Sequence, residues 1–329
     1  MNKILMALAL LTIAGTANAA TLKIATVTPE GSQWMTDMRA GADEIKERTD
    51  GRVHIKYYGG GVMGDDAKVL GKIRIRALQG GAFTPTALAQ QYPDLNLYGL
   101  PLVFRSEEEA AYARSKMDAR LHDGLLQVGF KSFGFASGGF AYLMSNTPVD
   151  TLADLKGQKV WVPEGDTISY STMEALSLSP VTLPLTDVLT GLQTGLIDIV
   201  GMSPIGALVL QWHTKVKYVT ELPMVYTLGF MAIDVKVWNK ISAADQAVVE
   251  EVMRGIYAKF DEQNLVDNRD ARDALIKSGV ESVPFSLDEY EKIRTVLMKS
   301  NRALGEQGKF SIELYDEMLR YIEEYRSKE

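Results

Sequence analysis

The chain has 329 residues, 46% of them hydrophobic and 23% charged, and it contains no cysteine. That is globular composition with enough apolar residues for about two domains, and the absence of thiols excludes disulfides, a cysteine nucleophile and a cysteine zinc site. A formal charge of −7 argues against a nucleic-acid partner, which needs a basic footprint.

The N-terminus reads as an export signal. Met1-Asn2-Lys3 is a short basic start, Ile4 to Ile13 is a run of apolar residues and Thr, and Ala17-Asn18-Ala19 closes it. This is the pattern of a cleavable secretory signal peptide, so a mature chain beginning near Ala20 is expected in the periplasm. The other reading, a buried N-terminal helix, gives the small-residue end no role. No cysteine stands at the cleavage point to carry a lipid anchor. The longest later apolar stretch, Leu196–Leu210, is interrupted by Asp198, Gly201, Pro204 and Gly206, and is too short to span a bilayer.

From there strand-like and helix-like segments alternate, which points to an α/β fold. Leu22–Thr28 reads as a strand, and Ser32 can cap a helix over about 33–49. Val53–Tyr58 alternates as a second strand, and Asp65 or Asp66 can cap a helix to about Leu78. Gly80–Thr84 is a short strand. Ser106 caps another helix, with Glu107–Glu109 suiting its positive end. Phe130–Ser145 is a long extended run.

After Pro148 the pattern restarts. Strands are expected at Lys159–Val162, Val181–Leu183 and Asp198–Met202, with helices at Ile168–Leu176 and, capped by Thr186, at about 187–195. Val225–Asp234 is a second long extended run. A compact unit at about 145–230 between two long strands is the order expected of one lobe inserted into another. Ser242-Ala243-Ala244-Asp245 resembles a capping box, and the segment to Ser278 holds no Pro. A helix over about 243–278 would exceed one lobe and could bridge both, unless it breaks near Gly255 or Asn264. The expected division is 20–144 plus about 231–265 for the first lobe, and 145–230 plus about 266–329 for the second.

Two motifs fail on inspection. Gly59-Gly60-Gly61-Val62-Met63-Gly64 spells a dinucleotide fingerprint. The preceding strand, however, alternates with His54 and Lys56, and Asp65 and Asp66 would repel a pyrophosphate. The glycines read better as a tight turn. Gly201-Met202-Ser203-Pro204-Ile205-Gly206 misses the serine-hydrolase elbow by one residue, and Pro204 lacks the N–H that its oxyanion hole needs. His54, His122 and His213 share no metal-ligand spacing. No catalytic residues, metal or cofactor are expected.

One segment is distinctive. Leu155-Lys156-Gly157-Gln158-Lys159-Val160-Trp161-Val162-Pro163 is followed by Pro184-Leu185-Thr186-Asp187-Val188-Leu189-Thr190-Gly191-Leu192-Gln193-Thr194-Gly195-Leu196-Ile197-Asp198. It resembles the substrate-binding subunit of tripartite ATP-independent periplasmic (TRAP) transporters of the DctP type, as do Lys23-Ile24-Ala25-Thr26-Val27 and the glycine turn ending in Met63-Gly64. The resemblance implies two α/β lobes of the periplasmic binding protein kind, crossover strands and a long interlobe helix. It also implies a small-molecule ligand in the cleft and docking on a small and a large membrane subunit. A receptor reporting to a sensor instead of a transporter is the other possibility.

Two departures from the family pattern bear on the ligand. The family usually places a carboxylate-holding arginine where this chain has Trp161, and a polar asparagine where it has Met202. A carboxylate in a dry cleft without a cation is costly, so a ligand other than a simple carboxylate is expected, and a neutral, aromatic, cationic or lipid-like molecule fits better. Trp161 would offer a ring face and Met202 an adaptable wall. The alternative is an organic acid with a displaced Arg or Lys partner. Further candidates are Glu30 and Trp34 at the first strand-to-helix turn, Phe83 and Thr84 at the third strand's end, and Phe140 and Tyr142 on the first crossover. Glu164 and Trp212 complete the set. Ligand clefts are rich in such aromatics.

Overall fold

The computed structural model describes residues 20–328, so the expected signal peptide at 1–19 lies outside the described residues. β1 (Ala20–Ala25) leads into α1 (Gln33–Arg48), where the Ser32 hydroxyl accepts from the Met35 N–H. That bond satisfies one of the amides a helix start leaves without partners. β2 (Val53–Tyr58) follows, then the glycine turn and α2 (Asp66–Arg74), capped by Asp65. Gly60, Gly61 and Gly64 have φ of 64°, 70° and 99°, a left-handed backbone that side chains resist. β3 (Gly80–Phe83), α3 (Pro85–Leu88), α4 (Glu107–Gln127) and β4 (Phe130–Ser132) complete the first half.

β5 (Ala136–Ser145) then carries the chain across. Beyond it come β6 (Trp161–Pro163), α5 (Thr167–Ala175), β7 (Val181–Leu183), α6 (Val188–Thr194), β8 (Ile199–Met202), α7 (Pro204–Val209) and β9 (Tyr218–Thr220). β10 (Val225–Asp234) returns to α8 (Val235–Trp238) and α9 (Ala243–Lys277). β11 (Glu281–Val283), α10 (Leu287–Glu306) and α11 (Ile312–Arg326) end the chain. Thr186 does not cap α6 as expected. The residues before it form a 3-10 turn, and Asp187 takes the cap position without a side-chain bond.

The two long strands belong to both halves. The main sheet runs β11-β9-β5-β10-β3-β1-β2. β10 pairs antiparallel with β3 at one end and with β5 at the other, while β5 also pairs with β8 and β9. Both strands are irregular where they cross: Gly139 has φ of 77°, and the β5–β10 register shifts between Thr227 and Leu228. Strand alternation gives each half two cores. In the second, Leu143, Val160, Val162 and Ile199 face α5 and α10, while Met144, Trp161 and Val200 face α6 and α7.

α9 passes unbroken through Gly255 and Asn264, and its 35 residues span about 52 Å. Its first turns lie so close on α1 that a Cβ at Gly41 would stand 2.2 Å from Ile256 Cδ1. Its far end places Leu275 in the second lobe's core with Trp161 and Trp212. The chain's last helix departs from the expected division. α10 begins in the second lobe's core through Ile293 and Leu297. The chain then crosses back, and Leu314, Tyr315, Met318 and Ile322 of α11 bury against the first lobe with Met117 and Leu121 of α4. The 3.6-residue pattern of α11 marks a buried face without saying which lobe covers it.

Candidate ligand-binding site

The turns at the strand ends of the two lobes face each other. A Cβ at Gly61 would stand 3.4 Å from Thr186 Cγ2, so the glycine turn and the segment before α6 meet at van der Waals range. Beside them Lys68 is held above the ordinary lysine range, first by its 2.8 Å bond to Asp65, with Asp187 and Glu164 of the other lobe adding to it. Thr84 Oγ1 donates to Asp66 Oδ2 at 3.4 Å, and burial pushes the Asp66 carboxyl up to about 6. This is a mouth between lobes, lined by polar groups.

The expected residues divide between this mouth, the hinge and the packed interior. Glu30 is at the mouth, where it accepts from Gly59 N and pairs with Arg39 at 2.6 Å. Thr84 and Glu164 are exposed there. Trp34 stacks on Phe260 of α9, ring centroids 6.1 Å apart, so its ring is committed to helix packing. Phe83 is buried against Phe230.

Trp161 is only 5% exposed. Its indole N–H donates to Leu183 O at 3.0 Å, and its ring meets Trp212 edge to face. Lys159, the nearest cation in sequence, donates to Gly195 O at 2.8 Å and does not replace an arginine at 161. Met202 is opposite Tyr142 across the β5–β8 ladder and packs on the core that holds Trp161.

A second opening lies at the hinge. A cavity of about 360 Å³ is lined by Phe140 and Tyr142 of β5, Glu107 at the start of α4, Pro204 at the start of α7, and Asn268, Arg269, Arg272, Asp273 and Ile276 of α9. It therefore touches both lobes, a crossover strand and the bridging helix. Burial, then repulsion from Glu108, pushes Glu107 up to about 7 against a bond from Asn264 Nδ2. Sequence reasoning missed the α9 residues. Asn264 and Asn268 are one helical turn apart, buried, and poor helix formers, which was the available signal.

Among the described residues no cluster of three or more His, Cys, Asp or Glu is placed to hold a metal. No described helix is long and apolar enough to cross a membrane.

Two lobes joined by shared strands and one long helix, with facing turns and a cavity at the hinge, define a ligand-clamping receptor. The sequence profile of the bacterial extracellular solute-binding protein family 7, DctP, matches residues 24–307, and the chain belongs to that family of receptors, which are not enzymes. It is similar to the sialic acid-binding periplasmic protein SiaP of Vibrio cholerae, at 22% identity over 78% of this chain and 80% of that one. It is also similar to the 2,3-diketo-L-gulonate-binding periplasmic protein YiaO of Escherichia coli, at 26% over 47% of this chain and 48% of the relative.

Solved structures agree on the fold. The sugar acid binding protein DctPAm of Advenella mimigardefordensis, in complex with galactonate, superposes with a TM-score of 0.85 at 20% identity, over 92% of this chain and 98% of that one. A TRAP periplasmic solute binding protein of Desulfovibrio salexigens with bound orotic acid gives 0.84 at 20%, over 92% and 99%.

Proposed function

We propose that this protein is a periplasmic solute receptor that captures a small organic molecule between its lobes and delivers it to the small and large membrane subunits of a TRAP-type transporter. What supports this is the two-lobed scaffold with its facing strand-end turns at Gly61 and Thr186, together with family membership. The ligand is favoured over empty closure only by its extra affinity for the closed state.

The ligand is not a simple carboxylate. The observation that carries this is Trp161: an uncharged, buried ring stands where a cationic fork would stand, with its one donor already used on Leu183. Titration calorimetry of the ligand-stripped protein against C4-dicarboxylates and 2-oxoacids tests it, and micromolar binding of any of them overturns it.

A second reading, an organic acid held by a displaced arginine, is favoured by Arg269 and Arg272 at the hinge cavity. The similar proteins that hold galactonate and orotic acid point the same way. Mass spectrometry of small molecules co-purified with the native protein separates the readings by the charge of what is found.

A further inference from the structure

The lobes are also linked by a short turn at residues 100–104, ahead of α4. Leu100, Val103 and Phe104 bury in the first lobe's core with Met117 and Leu121. Leu102, between them, goes the other way. It is 1% exposed and packs in the second lobe's core with Leu143, Val162 and Leu297. The turn plugs one side chain of the first lobe into the second.

The backbone at that plug is strained. Leu102 has φ of 53°, where a Cβ crowds the neighbouring carbonyl. The other described non-glycine residues with positive φ, Asp50, Arg76, Ser177 and Gln211, are polar and exposed. A buried leucine in this conformation persists only where its surroundings impose it, and such sites gather at switch regions.

The imposing groups belong to the second lobe and its boundary. Leu102 N–H donates to Met224 O at 2.8 Å, and Met224 N–H donates to Ala141 O of β5 at 3.0 Å. Asn301 Nδ2 of α10 donates to Pro101 O at 3.0 Å. Asn301 is fully buried and stands where α10 leaves the second lobe's core at Leu297 and enters the first lobe's at Leu304. Its Oδ1 is buried with no donor among the described residues, a state that native cores rarely keep.

We propose that the turn at 100–104 is a latch between the lobes. Leu102 seats in the second lobe when the lobes are closed, as here with the turns at Gly61 and Thr186 in contact. It leaves that seat as the first lobe swings away. Packing and the bonds to Met224 and Asn301 hold the closed arrangement, while the left-handed backbone at 102 opposes them. The two arrangements thereby stay near balance, and an occupant of the cleft needs little differential affinity to shift it. The latch rests on the receptor reading, since it needs lobes that part, and deepens it by naming what regulates their closure.

The chain has no cysteine, so Gly61→Cys with Thr186→Cys reports closure of the full-length mature protein. In a glutathione redox buffer the fraction oxidised gives the effective concentration of one thiol at the other. The strain of a side chain at 61 is common to every background and cancels. Adding Leu102→Ala is expected to lower that effective concentration by about tenfold or more, because the packing of a buried leucine outweighs such a ratio. Leu102→Met keeps the volume and is expected to stay within about twofold of the parent pair. Leu155→Ala, in the same core but wholly inside the second lobe, is expected to lower resistance to urea and leave the effective concentration unchanged. Asn301→Ala is expected to lower it several-fold and keeps the test open should Leu102→Ala fold poorly.

An effective concentration unchanged by Leu102→Ala and by Asn301→Ala, or lowered as much by Leu155→Ala, overturns the latch and leaves the receptor reading standing. If the parent pair oxidises no more readily in the folded chain than in urea, the facing turns do not meet, and both fall.

Discussion

Trp161 and Trp212 meet edge to face, with ring centroids 5.2 Å apart and planes at 85°. Leu183 O fixes the first ring by accepting its N–H, and the second is among the largest fully buried side chains. The pair joins strand β6 to the segment after α7 inside the second lobe's core.

Trp161→Ala is therefore expected to cost about 3–5 kcal/mol, the range for emptying a buried aromatic site. Trp161→Phe keeps one aromatic ring and loses the N–H bond and part of the indole's volume, at about 1–3 kcal/mol, with Leu183 O still accepting from Glu164 N. Urea denaturation measures both. Equal costs would mean that the ring packing contributes nothing.

The bridging helix is tied to the first lobe by one buried cation. Arg114, with a side chain 6% exposed, reaches both oxygens of Asp261 at 2.9 Å, Asp118 at 3.1 Å and Phe135 O at 2.7 Å. Asp261→Ala removes the bidentate partner and leaves that guanidinium underpaired. The expected loss is about 3 kcal/mol, the scale of a broken buried pair, read as a lower midpoint in denaturant. A change below about 0.5 kcal/mol, as an exposed pair gives, would show that the pair is not holding the helix.

Two buried groups give stability opposite slopes over overlapping acidic windows. Burial, then Glu108, pushes Glu107 up to about 7. The folded state keeps a proton that the unfolded chain releases near 4.5, so stability falls as pH rises through that window. His122, stacked on Phe135, is pulled down to about 4 by burial and then by Lys131. The unfolded chain takes up a proton there first, so stability falls as pH drops from 6.5 towards 4. Glu107→Gln is expected to gain melting temperature relative to the parent as pH climbs from 5 to about 7. A constant difference across that range would contradict the assignment.

The contact between Gly61 and Thr186 predicts a lock. The chain contains no cysteine, so Gly61→Cys with Thr186→Cys can form only one internal disulfide. The φ of 70° at Gly61 costs the new side chain about 1–2 kcal/mol. Oxidised, the double variant is expected to exchange bound solute far more slowly than after reduction, followed by release of a co-purified ligand. Identical rates would show that these turns do not flank the exit route.

Much of this protein was legible in its residues. Caps at Ser32, Asp65, Ser106 and Ser242 are local signals, because a hydroxyl or carboxylate needs only an amide three residues on. The glycine turn at 59–64 is local too, since its backbone conformation excludes side chains. The long helix was readable because nothing in 243–277 stops it. The family pattern gave the two lobes. The seat of α11 was not legible, nor was the cavity beside Phe140 and Tyr142. Its other walls come from Glu107, more than thirty places earlier, and from Asn268 and Arg272, more than a hundred later.

The sequence by itself determined most of the elements, the caps at Ser32, Asp65, Ser106 and Ser242 and the crossover strands, because each rests on neighbours within a few residues. Only the tertiary structure decided that the Trp161 ring turns onto Trp212, that α11 returns to the first lobe, and that Asn268 and Arg272 meet Phe140. Those outcomes depend on which distant surfaces bury one another, and a periodic pattern marks a face for burial without naming its partner.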